Sequence, residues 1–293
     1  MNSKEAFSFM KSVCLKTNNK TIINYLLNQF ENIDLSDTFI SVKDFLHYKN
    51  IILHYKGLNS TLFTNTISNI LSKTIIYFFE KDIISKSISL NYFYFSNLEK
   101  KKIIDNTLQI LDYTDIKNNK YDLLNNSLFN YLINNHSLYL NGFINFRLFE
   151  YINFLNNKLD DAVNRFLIDK EYSEFVNILR LYIDSESQNS SVLHLHLIYK
   201  NNDSIIINDN KEIVTYNENI IKAKFVSDIS FSSNDLALNT LLNLVPRKIT
   251  VHLIDDYADE FINTLQLIFQ NRIDICVDCN ICDIYKYKNL IKK

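Results

Sequence analysis

The stretch Asp184-Ser-Glu-Ser-Gln-Asn-Ser-Ser-Val-Leu-His-Leu-His-Leu-Ile-Tyr199 divides the chain, because the spacing of apolar residues changes across it. Upstream, Leu155, Leu159, Val163 and Phe166 recur every three or four residues, the period of a helix with one buried face. Downstream, Leu193, Leu195 and Leu197 alternate with His194 and His196, the period of a strand. Between them Asp184 to Ser191 is polar and short, as a boundary should be.

Beyond the boundary, Ser204 to Ile207 reads as a second strand, joined to the first through Asn201-Asn202-Asp203 as a hairpin. A further strand is expected over Ile213 to Tyr216. Ser232-Ser-Asn-Asp235 offers a cap for a helix through Leu236, Thr240, Leu241 and Leu244, which Pro246 stops. Lys248 to Ile254 reads as a buried strand, Ala258 to Gln270 as a helix and Arg272 to Val277 as a last strand. Residues 190–293 thus form a C-terminal α+β module with a mixed sheet.

Upstream, the strongest helical segment covers Phe146 to Leu167, with Asn141-Gly142 breaking the pattern before it and a further helix from Tyr172 to Ile183. Phe143, Phe146, Phe149 and Tyr151 fall at helical spacing and are expected in the core. Helices are also expected from Leu62 to Tyr77, from Ser96 to Leu111 and from Tyr121 to Asn135, so 58–187 reads as a central helical region. The first 57 residues read as a small N-terminal α/β lobe: a strand at Ala6 to Leu15, a helix from Lys20 to Asn32, then strands at Thr38 to Val42 and Ile51 to Tyr55. The fold class is α+β.

Composition excludes several classes. With 47% hydrophobic and 22% charged residues, 21 Phe and 18 Tyr in 293 residues, the chain can bury a core and is not disordered. Its only glycines are Gly57 and Gly142, so no dinucleotide-binding GxGxxG, phosphate-binding Walker loop or GxSxG nucleophile turn can be written. A net charge of −2 lacks the basic excess that neutralises phosphates, so nucleic acid is not an expected partner. The apolar stretches Thr74 to Phe79 and Leu90 to Phe95 fall well short of the roughly 18 uninterrupted apolar residues of a membrane span. Met1-Asn-Ser-Lys-Glu5 does not open a secretion signal, and a cytoplasmic location is expected.

One run carries ligand-like spacing, Cys276-Val-Asp-Cys279-Asn-Ile-Cys282. Thiolates this close along the chain can bend round one zinc ion or take part of an iron–sulfur cluster. A fourth ligand has to come from elsewhere, and His252, Cys14 and Asp283 are the candidates. The opposing reading is three small, partly buried thiols that close a domain. His194 and His196 share one face of their strand and can hold a metal, or simply turn to solvent while the leucines fill the core. Arg147 and Glu150 are spaced to pair across a helical turn. Asp255-Asp256 and Asp259-Glu260 suit a helix N-terminus or a divalent cation.

The segment Gly142-Phe-Ile-Asn-Phe-Arg-Leu-Phe-Glu-Tyr151, with Asp161-Ala-Val163, Phe166-Leu167 and Glu171-Tyr-Ser-Glu-Phe175, resembles the YtxC-like family of bacterial sporulation proteins. Asn234-Asp-Leu236, Thr240-Leu241, Pro246-Arg-Lys-Ile-Thr-Val-His252 and Ile273-Asp-Ile-Cys276 resemble that family's helix, proline, strand, helix, strand ending. The resemblance is firmest over 140–282. It implies a role in endospore formation in a Gram-positive bacterium and brings no catalytic residues with it. The expectation is therefore a cytoplasmic protein, not an enzyme, that acts through contacts with other proteins. The alternative is a zinc or iron–sulfur protein or enzyme built on Cys276, Cys279 and Cys282, with His252 as a further ligand.

Overall fold

The computed structural model describes residues 10–33, 36–45, 48–186, 190–214, 232–255 and 257–287. The chain is α+β and divides into two compact units between Leu167 and Ile168.

In the first unit, β1 (Lys11–Thr17) pairs antiparallel with β3 (Lys49–Tyr55), which pairs antiparallel with β2 (Thr38–Asp44). A three-residue strand, β4 (Ser137–Tyr139), joins the free side of β1 in parallel, giving the order β2-β3-β1-β4. The register places Val13 opposite Leu53 and Leu15 opposite Ile51, so one sheet face is apolar. That face shares one core with α1 (Lys20–Glu31), α2 (Ser60–Asn91), α3 (Asn97–Leu111), α4 (Thr114–Asn134), α5 (Leu140–Arg147) and the first part of α6 (Phe149–Glu186). Caps decide several starts. Asn19 accepts from the Thr21 and Ile22 N–H groups to open α1, and Ser96 with Glu99 forms a reciprocal capping box that opens α3.

Three expectations are corrected here. Gly142 lies inside α5 and does not break a helix; the interruption falls six residues later at Leu148. Within α5 the buried face is Leu140, Phe143 and Ile144, which leaves Phe146 83% exposed, and after the break at Leu148 Tyr151 is buried while Phe149 is 72% exposed. The two helices expected over 146–183 are one, because Asp169, Lys170 and Glu171 change the polarity of the face without removing helix propensity. Arg147 and Glu150 are exposed, at the end of α5 and the start of α6.

Inside this unit's core lies an ion pair. Lys120 Nζ of α4 is 2.8 Å from Glu80 Oε1 of α2, both nearly solvent-free, and the Tyr151 hydroxyl of α6 donates to Glu80 Oε2 at 2.6 Å. Burial, then the Glu80 charge, pushes the Tyr151 hydroxyl pKa far up, so it stays a donor. Removing one charge strands the other in a medium that cannot solvate it. Lys120→Met should therefore lower stability by about 3–5 kcal/mol, and the double change Glu80→Leu with Lys120→Met by less, measured by denaturant unfolding.

In the second unit, β5 (His194–Lys200) and β6 (Asp203–Ile207) form the expected hairpin. Asn201 and Asn202 both hold positive φ, 50° and 62°, the backbone of a type I′ turn. β5 pairs in parallel with β7 (Lys248–Leu253), and β7 in parallel with β8 (Ile273–Cys276), giving the mixed order β6-β5-β7-β8. One face packs on the later part of α6 through Val176 and Ile183, on α7 (Ser233–Leu244) and on α8 (Glu260–Phe269). Ser232 and Asp235 form a capping box for α7, which ends at Val245 in the left-handed region, directly before Pro246. Of the strand expected at 213–216, Ile213 makes a single bridge to Ile207, and Thr215 and Tyr216 lie outside the described residues. A short closing helix, α9 (Asn280–Lys286), is not anticipated by the periodicity. Among the described residues no helix is long and apolar enough to cross a membrane.

The hairpin turn gives a second test of the fold. A β-branched side chain at a left-handed position costs about 1–2 kcal/mol, so Asn202→Val should destabilise by that amount in thermal unfolding, whereas Asn202→Gly should stay close to the parent.

Candidate metal centre

The site is built by strand register. In the parallel ladder Ile198 stands opposite His252, and His252 opposite Cys276. Side chains alternate across a sheet, so Leu195, Leu197, Ile249, Val251 and Leu253 fill the helix-covered core. His194, His196, Thr250, His252 and Cys276 consequently face the other side. After β8 the chain turns at once, and Cys279 becomes the N-cap of α9. One turn of that helix returns Cys282 over the sheet, where it is fully buried in a small cluster with Ile198, Ile207 and Ile254.

The three thiols and one imidazole converge. Cys279 Sγ lies 3.6 Å from Cys282 Sγ, and Cys276 Sγ lies 3.9 Å from Cys282 Sγ. His252 Nδ1 is 3.3 Å from Cys279 Sγ and 3.4 Å from Cys282 Sγ. All four donor atoms lie within 4.8 Å of one another. Around a tetrahedral zinc with its usual bond lengths, the S···S and S···N edges are about 3.8 Å and about 3.5 Å, so the donors stand close to the corners such an ion requires. An iron–sulfur cluster spreads its cysteines over two or more irons; four donors gathered this tightly suit one ion.

Burial and mutual repulsion shape the titration of the four groups. Burial pushes the Cys282 thiol up to about 12, and its hydrogen bonds and charge repulsion with Cys279 and Cys276 add to the rise. Cys276 is raised by burial and by Cys279. Burial also acts upward on Cys279, but backbone N–H groups of Cys282 and Ile281 and the neighbouring thiols outweigh it, and its net pKa is lowered. A divalent cation among the thiols would offset the cost that burial and mutual repulsion put on Cys276 and Cys282 as thiolates. Burial, then repulsion from His196 and His194, lowers His252 to about 4, so its imidazole is neutral, the form that ligates.

Of the candidate fourth ligands, His252 is the one brought to the thiols. Cys14 sits on β1, in the first unit, and the exposed Asp283 pairs with Lys286 at 3.5 Å. His194 and His196 are hydrogen-bonded to Asp209, which no periodicity or spacing singles out because it lies in the loop after β6. The carboxylates expected at a helix start are structural: Asp259 accepts from the Ile262 N–H and from the Tyr199 hydroxyl, and Asp255 accepts from the Asn201 N–H at 2.7 Å. Asp256 lies outside the described residues.

A two-unit α+β protein with a Cys3His donor set at one sheet face is the class these features define. The YtxC-like family matches residues 65–274, and the chain belongs to that family. The matched span includes His194, His196 and His252 and ends before Cys276. No curated protein matches the chain, and no solved structure does.

Proposed function

We propose that the protein is a sporulation-associated cytoplasmic protein of a Gram-positive bacterium that acts through protein contacts, its second unit completed by one zinc ion on Cys276, Cys279, Cys282 and His252. The observation that carries the metal reading is the convergence of four donors at near-tetrahedral separations. Four protein ligands close the coordination sphere. A catalytic zinc keeps a position for water or substrate, whereas a closed one contributes to folding, so the donor set supports a structural ion. The side chains such contacts could use include Phe93, Leu98, Phe146 and Phe149, each more than 70% exposed.

Protein purified under reducing conditions, without added metal or chelator, should carry about one zinc per chain by elemental analysis, and Cys279→Ser should lose it. A metal-free wild type would leave the three thiols as closing residues only. The biological part is tested by deletion of the gene: heat-resistant colony counts should fall while vegetative growth stays near normal, and either normal sporulation or loss of growth counts against it.

A further inference from the structure

We propose that His194, His196 and Asp209 are the outer shell of the Cys3His centre and not a second metal site, so that the Asp209 carboxylate is wired to the zinc ligand His252 through His196, with His194 bound to the same carboxylate oxygen. The inference rests on the zinc reading above and adds positioning residues to it.

Asp209, His194 and His196 themselves form a group with metal-like spacing, within 4.8 Å of one another, which makes a second ion the competing reading. The ring hydrogens decide between the two. A zinc on His252 Nδ1 leaves that ring's one hydrogen on Nε2. That atom is 3.0 Å from His196 Nδ1, which must be bare to accept it. The hydrogen of a neutral His196 is then on Nε2, 3.2 Å from Asp209 Oδ1, to which it donates. The same carboxylate oxygen takes the His194 Nδ1 hydrogen at 2.9 Å, and His194 Nε2, bare, accepts from the Thr250 hydroxyl at 2.9 Å.

Every ring nitrogen in this chain has one role and one partner. A second ion on His196 Nε2 would need that nitrogen bare while Nδ1 is also bare, that is, an imidazolate. Occupation of the first site therefore disfavours the second. The wiring also has direction, since the His196 side chain is 12% exposed, that of His194 25% and that of Asp209 65%, so it runs from buried ligand to solvated carboxylate. A ligating histidine held through its other nitrogen has its ring orientation fixed and its basicity raised, and loss of such a partner typically weakens metal binding by about 10–100-fold.

The test is zinc affinity, measured by competition with a chromophoric chelator, together with zinc content and the nitrogen-15 signals of His252. Wild type should hold one zinc, with His252 metal-bound at Nδ1 and protonated at Nε2. His196→Leu should weaken zinc binding by about 10–100-fold, while His196→Asn, whose amide oxygen can accept where Nδ1 does, should recover most of the loss. Asp209→Ala, at an exposed position, should weaken binding in the same direction and serves if the Leu variant does not fold. Wild-type affinity in both His196→Leu and Asp209→Ala, equal losses in the Leu and Asn variants, or a second zinc that Asp209→Ala alone removes would each overturn the outer-shell assignment while leaving the Cys3His centre standing. A wild type with no zinc would overturn the centre itself.

Discussion

Parallel pairing of β5, β7 and β8 is the constraint from which the second unit follows. Neighbouring strands in a sheet lie about 4.7–4.9 Å apart, so residues in register on one face are held side by side with no loop needed to aim them. The row Ile198, His252, Cys276 is such a register, as is the row His196, Thr250, Asp274 one step along. A slip of one residue in β7 would turn His252 into the helix-covered core and Val251 toward the thiols. The apolar alternation that fills the core with Leu195, Leu197, Ile249 and Val251 therefore also fixes the ligand. Core packing and the placement of His252 beside Cys276 are one choice of register.

The two units treat buried polarity differently. In the first, Glu80, Lys120 and Tyr151 join α2, α4 and α6 inside an otherwise apolar core, where each charge is matched by a partner that water cannot replace. Such a pair adds little net stability over apolar side chains of the same size, but it penalises any helix register that separates the partners. In the second, polarity is gathered on the sheet face opposite α6, α7 and α8. Among the described residues, α9 and the small cluster of Ile198, Ile207, Ile254 and Cys282 pack on that face.

Legibility in the sequence follows how local each determinant is. The capping residues Ser96 with Glu99 and Ser232 with Asp235, the Asn201-Asn202 turn and the strand alternation act within a few residues, and the corresponding elements form where they are expected. β4 is three residues long, too short to show a period, and exists because β1 offers it an edge. Phe146 falls off the Leu140, Phe143 and Ile144 face of α5, and Phe149 follows the break at Leu148, which an apolar pattern cannot reveal when both helices are apolar at the joint. The cysteine run declares itself by spacing, while His252 precedes it by 24 residues or more and is selected from three candidates only by the pairing of β7 with β8. Asp209 carries no local signal, because its partners His194 and His196 lie across the hairpin.

The division of the site between sheet and tail has a physical consequence. Its histidine side belongs to strands that satisfy their own polar atoms, since His194, His196, His252, Thr250 and Asp209 are hydrogen-bonded to one another without any metal. The thiol side does not have that support. Cys276, Cys279 and Cys282 bond chiefly among themselves and to His252, and the helix that carries Cys282 is seven residues long, below the length at which a helix is stable by itself. Without an ion, the sheet's hydrogen bonds remain, and α9 is held by its apolar cluster and by Lys200 Nζ, which donates to the Tyr285 and Lys286 carbonyls. A metal bound there would therefore act chiefly on the cysteine segment, while the strands that orient His252 hold their side of the site by their own hydrogen bonds.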